Sequence, residues 1–215
     1  MKKKIFLGFV TVFIWMFFSF RAVAGFEEAN VRAFLNDTGE RLIEALGTED
    51  LDERYAVLDE IFEKHVDTAY MGRYVLGQYY RLFSDEQKEH YFPLFSRYIK
   101  SIYKSYPIDF KTDEIGFKIL SIQLFEKYVN AVASIDLPEK YRTENFERIK
   151  VEFKIHDKDG VFQVADLKIG EVSMLITLKT RFMQMIKDDE EEIDWFLEDF
   201  EDLVKSNETH LILEN

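Results

Sequence analysis

The chain has 215 residues, enough for one domain with a sizeable hydrophobic core, and 41 acidic against 28 basic residues give a net charge of −13. This charge excludes the basic footprint that nucleic-acid binding needs, and it opposes adsorption to an anionic bilayer. The sequence contains no cysteine, which excludes disulfides, thiolate catalysis and cysteine-ligated metals.

The first 24 residues have the pattern of a cleaved export signal. Three lysines (residues 2–4) precede a mainly apolar stretch of 16 residues (5–20), and residues 22–24, Ala-Val-Ala, provide the small side chains that a signal peptidase recognises. The apolar stretch is shorter than the ~20 residues that a membrane-spanning helix needs, so an uncleaved anchor is the lesser alternative. We therefore expect a signal peptide over residues 1–24 and one domain over residues 25–215. Removing the leader takes away four basic residues and no acidic one, which leaves 24 basic against 41 acidic residues, a net charge of −17.

The N-terminal half of the remaining chain has the apolar spacing of helices. Apolar residues recur at intervals of three and four over residues 31–46, which Gly47 ends, and over residues 51–66. A short helix is expected from about Thr68, and another through residues 74–83.

A further helix is predicted to begin after Ser84, because Ser84 and Gln87 form a capping box. Pro93 lies inside this helix and predicts a kink, since proline lacks the N–H that the helix needs. Pro107 is expected at or just after its end.

The pattern changes to strands after residue 110. Apolar and polar residues alternate around residues 117–123, then over 128–137, 149–155 and 161–169. Residues 157–160, Asp-Lys-Asp-Gly, predict a tight hairpin between the last two strands. They also resemble the start of a calcium loop, but the later ligand positions hold valine and lysine, which favours the hairpin.

Helices are predicted again at the end of the chain, over residues 172–186 and 193–204, with the acidic run 188–192 at the start of the last one. The order of helices, strands and helices predicts an α+β fold. Its helices should pack on one face of a twisted, mainly antiparallel sheet of about four strands.

No catalytic or metal-binding pattern stands out. Ser101 and Lys104 match a serine–x–x–lysine motif, but its companion motifs are missing. We therefore expect a protein that is not an enzyme and that needs no cofactor or metal. The histidines show no metal-ligand spacing: His65, His90, His156 and His210.

Two segments carry a family resemblance. The first is Ala69–Tyr80, containing Val-Leu-Gly-Gln-Tyr-Tyr, followed by Ser-Asp-Glu-Gln-Lys at 84–88; the second is Asp166–Ile169, leading into Val-Ser-Met-Leu at 172–175. Together with the leader, they resemble the toluene-tolerance family of auxiliary transport proteins, the MlaC family. The chain departs from the family pattern at Glu171, where a glycine is usual, and at Pro93.

The resemblance implies a periplasmic phospholipid carrier, in which acyl chains lie in an apolar cavity between the helices and the sheet. It also implies two docking partners: the lipid-binding subunit of an inner-membrane ABC transporter and an outer-membrane lipoprotein–porin complex. Two alternatives stay open, a periplasmic adaptor with a solid core and a small-ligand enzyme with a polar dyad in its pocket.

Candidate lipid-binding residues come from the two motifs and the faces beside them, and each one is equally compatible with an ordinary core position. Arg148 and Lys150 could meet a head-group phosphate at the entrance, although solvated surface charge is the simpler interpretation. The acyl-chain candidates are Val75, Leu76, Tyr79, Phe95, Ile99, Ile102, Val151, Phe153, Val172, Leu175 and Ile176.

Overall fold

The computed structural model describes residues 26–105, 114–142 and 148–214, with side chains described in these ranges except at residues 141 and 210–214. The predicted signal peptide and the predicted helix end at Pro107 lie outside these residues.

Six α-helices occur in the described residues, and local side-chain caps set several of their starts. Asp50 accepts a hydrogen bond from the Glu53 amide at 2.9 Å, and the capping box of Ser84 and Gln87 is present as predicted. The helices are α1 Glu28–Leu46, α2 Leu51–His65, α3 Thr68–Leu76, α4 Asp85–Lys104, α5 Met174–Asp188 and α6 Ile193–Glu214.

Two helix predictions need correction. The helix expected over residues 74–83 is the end of α3 followed by a 3₁₀ helix at Gly77–Arg81. The break occurs because Gly77 has φ +55° and ψ −121°, a conformation that favours glycine and stops an α-helix. In the acidic run 188–192, Asp188 ends α5 and residues 189–192 form the connection to α6, so the run precedes the first turn of α6. Helix α4 continues through Pro93 as one helix, and Pro93 lies on its exposed side. The predicted kink of the helix axis at Pro93 stays a prediction.

The strands form one open antiparallel sheet in the order β1-β2-β3-β4-β5. The hairpin between β3 and β4 is confirmed: Asp159 and Gly160 have φ of 55° and 86°, and the Gly160 amide donates to Asp157 Oδ1 at 2.8 Å. A fifth, two-residue strand stands where the sequence predicts the start of a helix. The strands are β1 Gly116–Leu124, β2 Val129–Asp136, β3 Arg148–Lys158, β4 Val161–Ile169 and β5 Val172–Ser173.

Two hydrophobic clusters hold these layers together, and they confirm the α+β class. The larger cluster joins α3, α4, α5 and α6 through stacked and edge-to-face aromatic rings, such as Phe182 and Phe200 at 5.0 Å between centroids. The smaller cluster packs Val31 and Leu35 of α1 against the inner face of the sheet. The space between the two clusters, under α1 and α2, contains the cavity described next.

Candidate functional site

The inner face of the sheet and helices α1, α2 and α4 enclose an apolar cavity with two adjoining compartments. The β2 compartment, of about 350 Å³, lies between α1 and the end of β2. The α4 compartment, of about 450 Å³, lies between α1, α2, α4 and β4. Both volumes are in the usual range of ligand sites, roughly 300–1,000 Å³. Five residues line both compartments: Thr38, Leu42, Leu46, Phe153 and Val164.

The shared wall follows from the periodicities of a helix and a strand. Thr38, Leu42 and Leu46 are spaced by four residues and therefore lie on one face of α1. Leu42 keeps 39% of its surface exposed, although it lies on the apolar face of the helix. A side chain that lines the cavity on both sides is incompletely covered by its neighbours.

A β-bulge in β4 shapes the floor of the α4 compartment. Val164 and Leu167 are three residues apart, so strict alternation would place them on opposite faces of the sheet. The register passes from Lys154–Asp166 to Ile155–Val164, which leaves Ala165 unpaired and brings both side chains to the cavity.

The remaining wall residues are mostly aliphatic and aromatic. The β2 compartment is further lined by Phe34, Leu35, Gly39, Ile43, Ile115, Phe117, Ile135, Asp136, Leu137 and Pro138. The α4 compartment is further lined by Leu58, Ile61, Phe62, His65, Val66, Met71, Ile99, Ile102, Tyr103, Asp166, Leu167 and Met174.

Three polar side chains of the α4 compartment, His65, Asp166 and Tyr103, are bonded to groups outside the cavity. His65 Nδ1 lies 3.0 Å from the Phe162 carbonyl oxygen. Asp166 accepts from Ser173 Oγ at 2.7 Å and from the Leu175 amide at 3.0 Å. These bonds satisfy the buried polar atoms without a ligand, which keeps the wall apolar in character.

Tyr103, another polar side chain of this wall, donates its hydroxyl to Asp59. Burial and this hydrogen bond raise the pKa of Tyr103. Burial acts to raise the pKa of Asp59, but the hydrogen bonds from Tyr103 and Lys104 outweigh it, and the net shift is downward. The tyrosine is therefore neutral and the aspartate ionised at neutral pH.

Three of the predicted acyl-chain candidates line the cavity: Ile99 and Ile102 on α4, and Phe153 on β3. Five others lie in the larger hydrophobic cluster between the helices instead. They are fully or almost fully buried and pack against other protein side chains. They are Val75, Leu76, Tyr79, Phe95 and Leu175.

The last three candidates lie on β3, on the edge strand β5 and in the first turn of α5. Val151 is buried on β3 opposite Ala133, whereas Val172 and Ile176 have 61% and 59% of their surfaces exposed. None of these three is among the residues that line either described compartment. A direct lipid contact at any candidate position stays a prediction.

The two predicted head-group cations lie in different surroundings. Arg148 forms an ion pair of 3.1 Å with Asp136, a lining residue of the β2 compartment, so it lies beside the rim of the cavity. Lys150 pairs with Glu152 at 2.9 Å, on the sheet face opposite Phe153.

The sequence motifs turn out to anchor α5 and α6. Tyr79 donates its buried hydroxyl to Glu191 at 2.7 Å, and this hydrogen bond raises the pKa of Tyr79. Ser173 caps α5 by accepting from the Ile176 amide, and Asp166 holds that cap from β4. Glu171, at the position of the usual glycine, is exposed and has no positive φ, so the substitution is accommodated.

Sequence reasoning missed the walls formed by α1 and α2. The apolar stripe of α1 was recognised, but none of its residues was among the lipid-binding candidates. A signal in that stripe is Thr38, a polar residue at a position of the apolar face. The neighbouring Gly39 allows a close approach to the Phe117 ring, where a Cβ would lie 3.3 Å from the ring.

Comparisons with known proteins agree with this architecture. A family model described as "MlaC protein" matches residues 36–202. A phospholipid-binding protein from Ralstonia solanacearum, solved in complex with a phospholipid, aligns with a TM-score of 0.65 and 11% sequence identity, over 84% of this chain and 97% of its own. At that identity the likeness shows a shared fold. No curated protein matches the chain. In the part of the chain that the structure describes, no helix is long and apolar enough to cross a membrane.

Proposed function

The chain belongs to the MlaC family, and from this premise we propose that its cavity binds phospholipid acyl chains and that the protein carries lipid between membrane complexes. The observation that carries the proposal is the pair of apolar compartments between α1, α2, α4 and the sheet. The Ralstonia solanacearum relative, which shares the fold, was solved with a phospholipid bound. Family membership and this relative support a binding or transport protein over an enzyme.

The free energy of lipid transfer favours an apolar cavity that makes few specific polar contacts with the lipid. A diacyl lipid has roughly 30 methylenes, and withdrawing each from water contributes ~0.8 kcal/mol, or about 24 kcal/mol in all. The acyl chains are withdrawn from water equally in a bilayer and in a dry cavity, so this free energy is nearly the same in both. Moving a lipid from a membrane complex into the docked protein is therefore a nearly balanced exchange. The side chains of His65, Asp166 and Tyr103 are already hydrogen-bonded within the protein, so they require no particular head group.

The cavity shape suggests how the lipid is arranged. We assign one acyl chain to each compartment, with the shared wall around Leu42 and Phe153 between them. The head group would remain at the rim of the β2 compartment, near Asp136 and Arg148. Since Arg148 is already paired, it would offer the phosphate only part of its charge, consistent with tolerance of different head groups.

The leader pattern of residues 1–24 supports a periplasmic location for the mature chain, residues 25–215. Within that compartment the family resemblance supports an inner-membrane ABC transporter, through its lipid-binding subunit, and an outer-membrane lipoprotein–porin complex as docking partners.

A vesicle assay tests the carrier function. Donor vesicles contain a self-quenched fluorescent phospholipid, and unlabelled acceptor vesicles receive it. Catalytic amounts of the mature protein should accelerate dequenching in proportion to protein concentration. A rate that equals spontaneous transfer, with folded protein present, would contradict the proposal.

A further inference from the structure

A second concave site lies on the other face of the sheet from the acyl-chain cavity. It has a volume of about 550 Å³ and lies between the start of α3, the β1–β2 turn and the end of β3. We call it the basic pocket; its principal side chains are Tyr70, Arg73, Lys127, Tyr128, Lys154 and Lys158.

The sheet separates this pocket from the cavity. Phe153 lines both acyl-chain compartments, and the next residue, Lys154, points to the opposite face because side chains alternate along a strand. A ligand of the basic pocket is therefore distinct from the lipid in the cavity.

Positive charge is concentrated here in a chain that is strongly acidic overall. Among the described residues, none of the four basic side chains, Arg73, Lys127, Lys154 and Lys158, has a carboxylate within ion-pair distance, whereas Lys150, Lys168 and Lys205, which lie outside the pocket, are paired.

The carboxylates of the pocket are already engaged. Asp67 lies 3.0 Å from His156 Nδ1 and accepts from the Tyr70 amide, and Asp157 accepts from the Gly160 amide. The four basic side chains outnumber these two carboxylates, so the pocket keeps an excess of positive charge, although Lys158 interacts with Asp67 and helps to lower the pKa of Asp67.

Aromatic rings hold one of these cations in place. Lys154 Nζ lies 4.7 Å from the ring centroid of Tyr128 and 5.7 Å from that of Tyr70. Phe125 stacks on Tyr128 at 4.6 Å and keeps 42% of its surface exposed. Aromatic side chains and arginine are enriched where proteins bind other proteins, whereas lysine is depleted there. The rings and Arg73 therefore suit a protein contact, and the three lysines contribute through charge complementarity.

We propose that the basic pocket docks an acidic segment of a partner protein, whose carboxylates pair with the four cations while an apolar side chain packs on Phe125 and Tyr128. The pocket is far larger than one phosphate, and its cations come from three elements, which suits carboxylates spread along a polypeptide. The Tyr70 amide at the start of α3 is taken by Asp67, so this helix terminus is not free to cradle a phosphate. An anionic bilayer would face the acidic surface around the pocket as well as the pocket itself, whereas a short acidic segment contacts the pocket alone, so the net charge of the mature chain opposes the bilayer more strongly.

Fluorescence anisotropy with labelled hexaglutamate tests this at 150 mM salt, where long-range repulsion is screened beyond about 8 Å. The pocket variant is Lys127→Glu with Lys158→Glu, both exposed residues. The control is Lys64→Glu with Lys118→Glu, exposed residues outside the pocket that form no ion pair with a described carboxylate and give the same charge change. We expect saturable binding to the wild type, at least tenfold weaker binding to the pocket variant and less than twofold change in the control.

Absence of saturable binding to the wild type, or equal weakening in both variants, would overturn the proposal. Vesicles of phosphatidylglycerol that bind in a pocket-dependent way while hexaglutamate does not would also overturn it, in favour of a membrane surface. Lipid occupancy is measured in parallel by native mass spectrometry and should be unchanged in both variants. Failure of the wild type to take up lipid would count against the carrier function and leave peptide docking standing.

Discussion

Leu42→Trp should narrow the passage between the two compartments. Leu42 lines both of them and is 39% exposed, so a larger side chain can extend into the cavity without displacing close-packed core atoms. A Trp ring placed there displaces roughly three to four acyl methylenes at ~0.8 kcal/mol each, a loss of about 3 kcal/mol or on the order of 100-fold in lipid affinity.

The assay is a titration with phosphatidylcholine that carries one parinaroyl chain, whose fluorescence rises when it leaves water. Leu82→Trp is the matched control, because Leu82 is 60% exposed and lines neither described compartment. Thermal unfolding of both variants checks that the fold is retained. An affinity for Leu42→Trp within twofold of the wild type, or an equal loss in Leu82→Trp, would refute the assignment of this cavity to the acyl chains.

Three further substitutions test the packing and the electrostatics. Phe95→Ala, in the helical cluster, should lower the free energy of unfolding by about 3–5 kcal/mol in urea titrations; a loss of lipid affinity in the folded variant would instead show that Phe95 reaches the ligand. Gly77→Ala should lower the free energy of unfolding by about 1–3 kcal/mol in the same measurement, because Gly77 has a positive φ that alanine adopts only with strain. An unchanged free energy of unfolding would contradict the claim that this position strains residues other than glycine. The hydrogen bond with His156 is the main cause of the lowered pKa of Asp67 in the folded protein. The ionised Asp67 carboxylate therefore stabilises the fold at pH values above its ordinary pKa of 3.8. This contribution to stability is lost as the pH falls through the lower pKa of the folded state. Asp67→Asn should therefore lower stability by about 1–3 kcal/mol at pH 7 and converge with the wild type below pH 3.8, whereas a pH-independent difference would exclude this linkage.

The secondary structure was predictable where local rules decide it. Alternation in β3 distinguishes the inward Phe153 from the outward Lys154, and Asp159-Gly160 specifies the hairpin. The fold class and the family follow from these elements and the two motifs. The break after Leu76 was missed because a glycine inside an apolar helical pattern does not reveal its own φ.

The cavity wall was predictable only in part. Leu42 and Phe95 are both apolar residues on amphipathic helices, yet Phe95 is enclosed by aromatic rings and Leu42 lines the cavity. The difference depends on how closely neighbouring helices approach each other, and the spacing of apolar residues carries no information about that distance. The hydrogen bond between Ser173 and Asp166 likewise depends on the register of β4. The residues of the second motif therefore indicate the family but do not reveal that they cap α5.

Native mass spectrometry of the mature protein, purified from the periplasm and followed by lipid extraction, tests the central claim most directly. A stoichiometric added mass that corresponds to one phospholipid, with two acyl chains found after extraction, is the predicted result. A clean apo mass that persists after incubation with phospholipid vesicles would contradict the claim that the two compartments hold acyl chains.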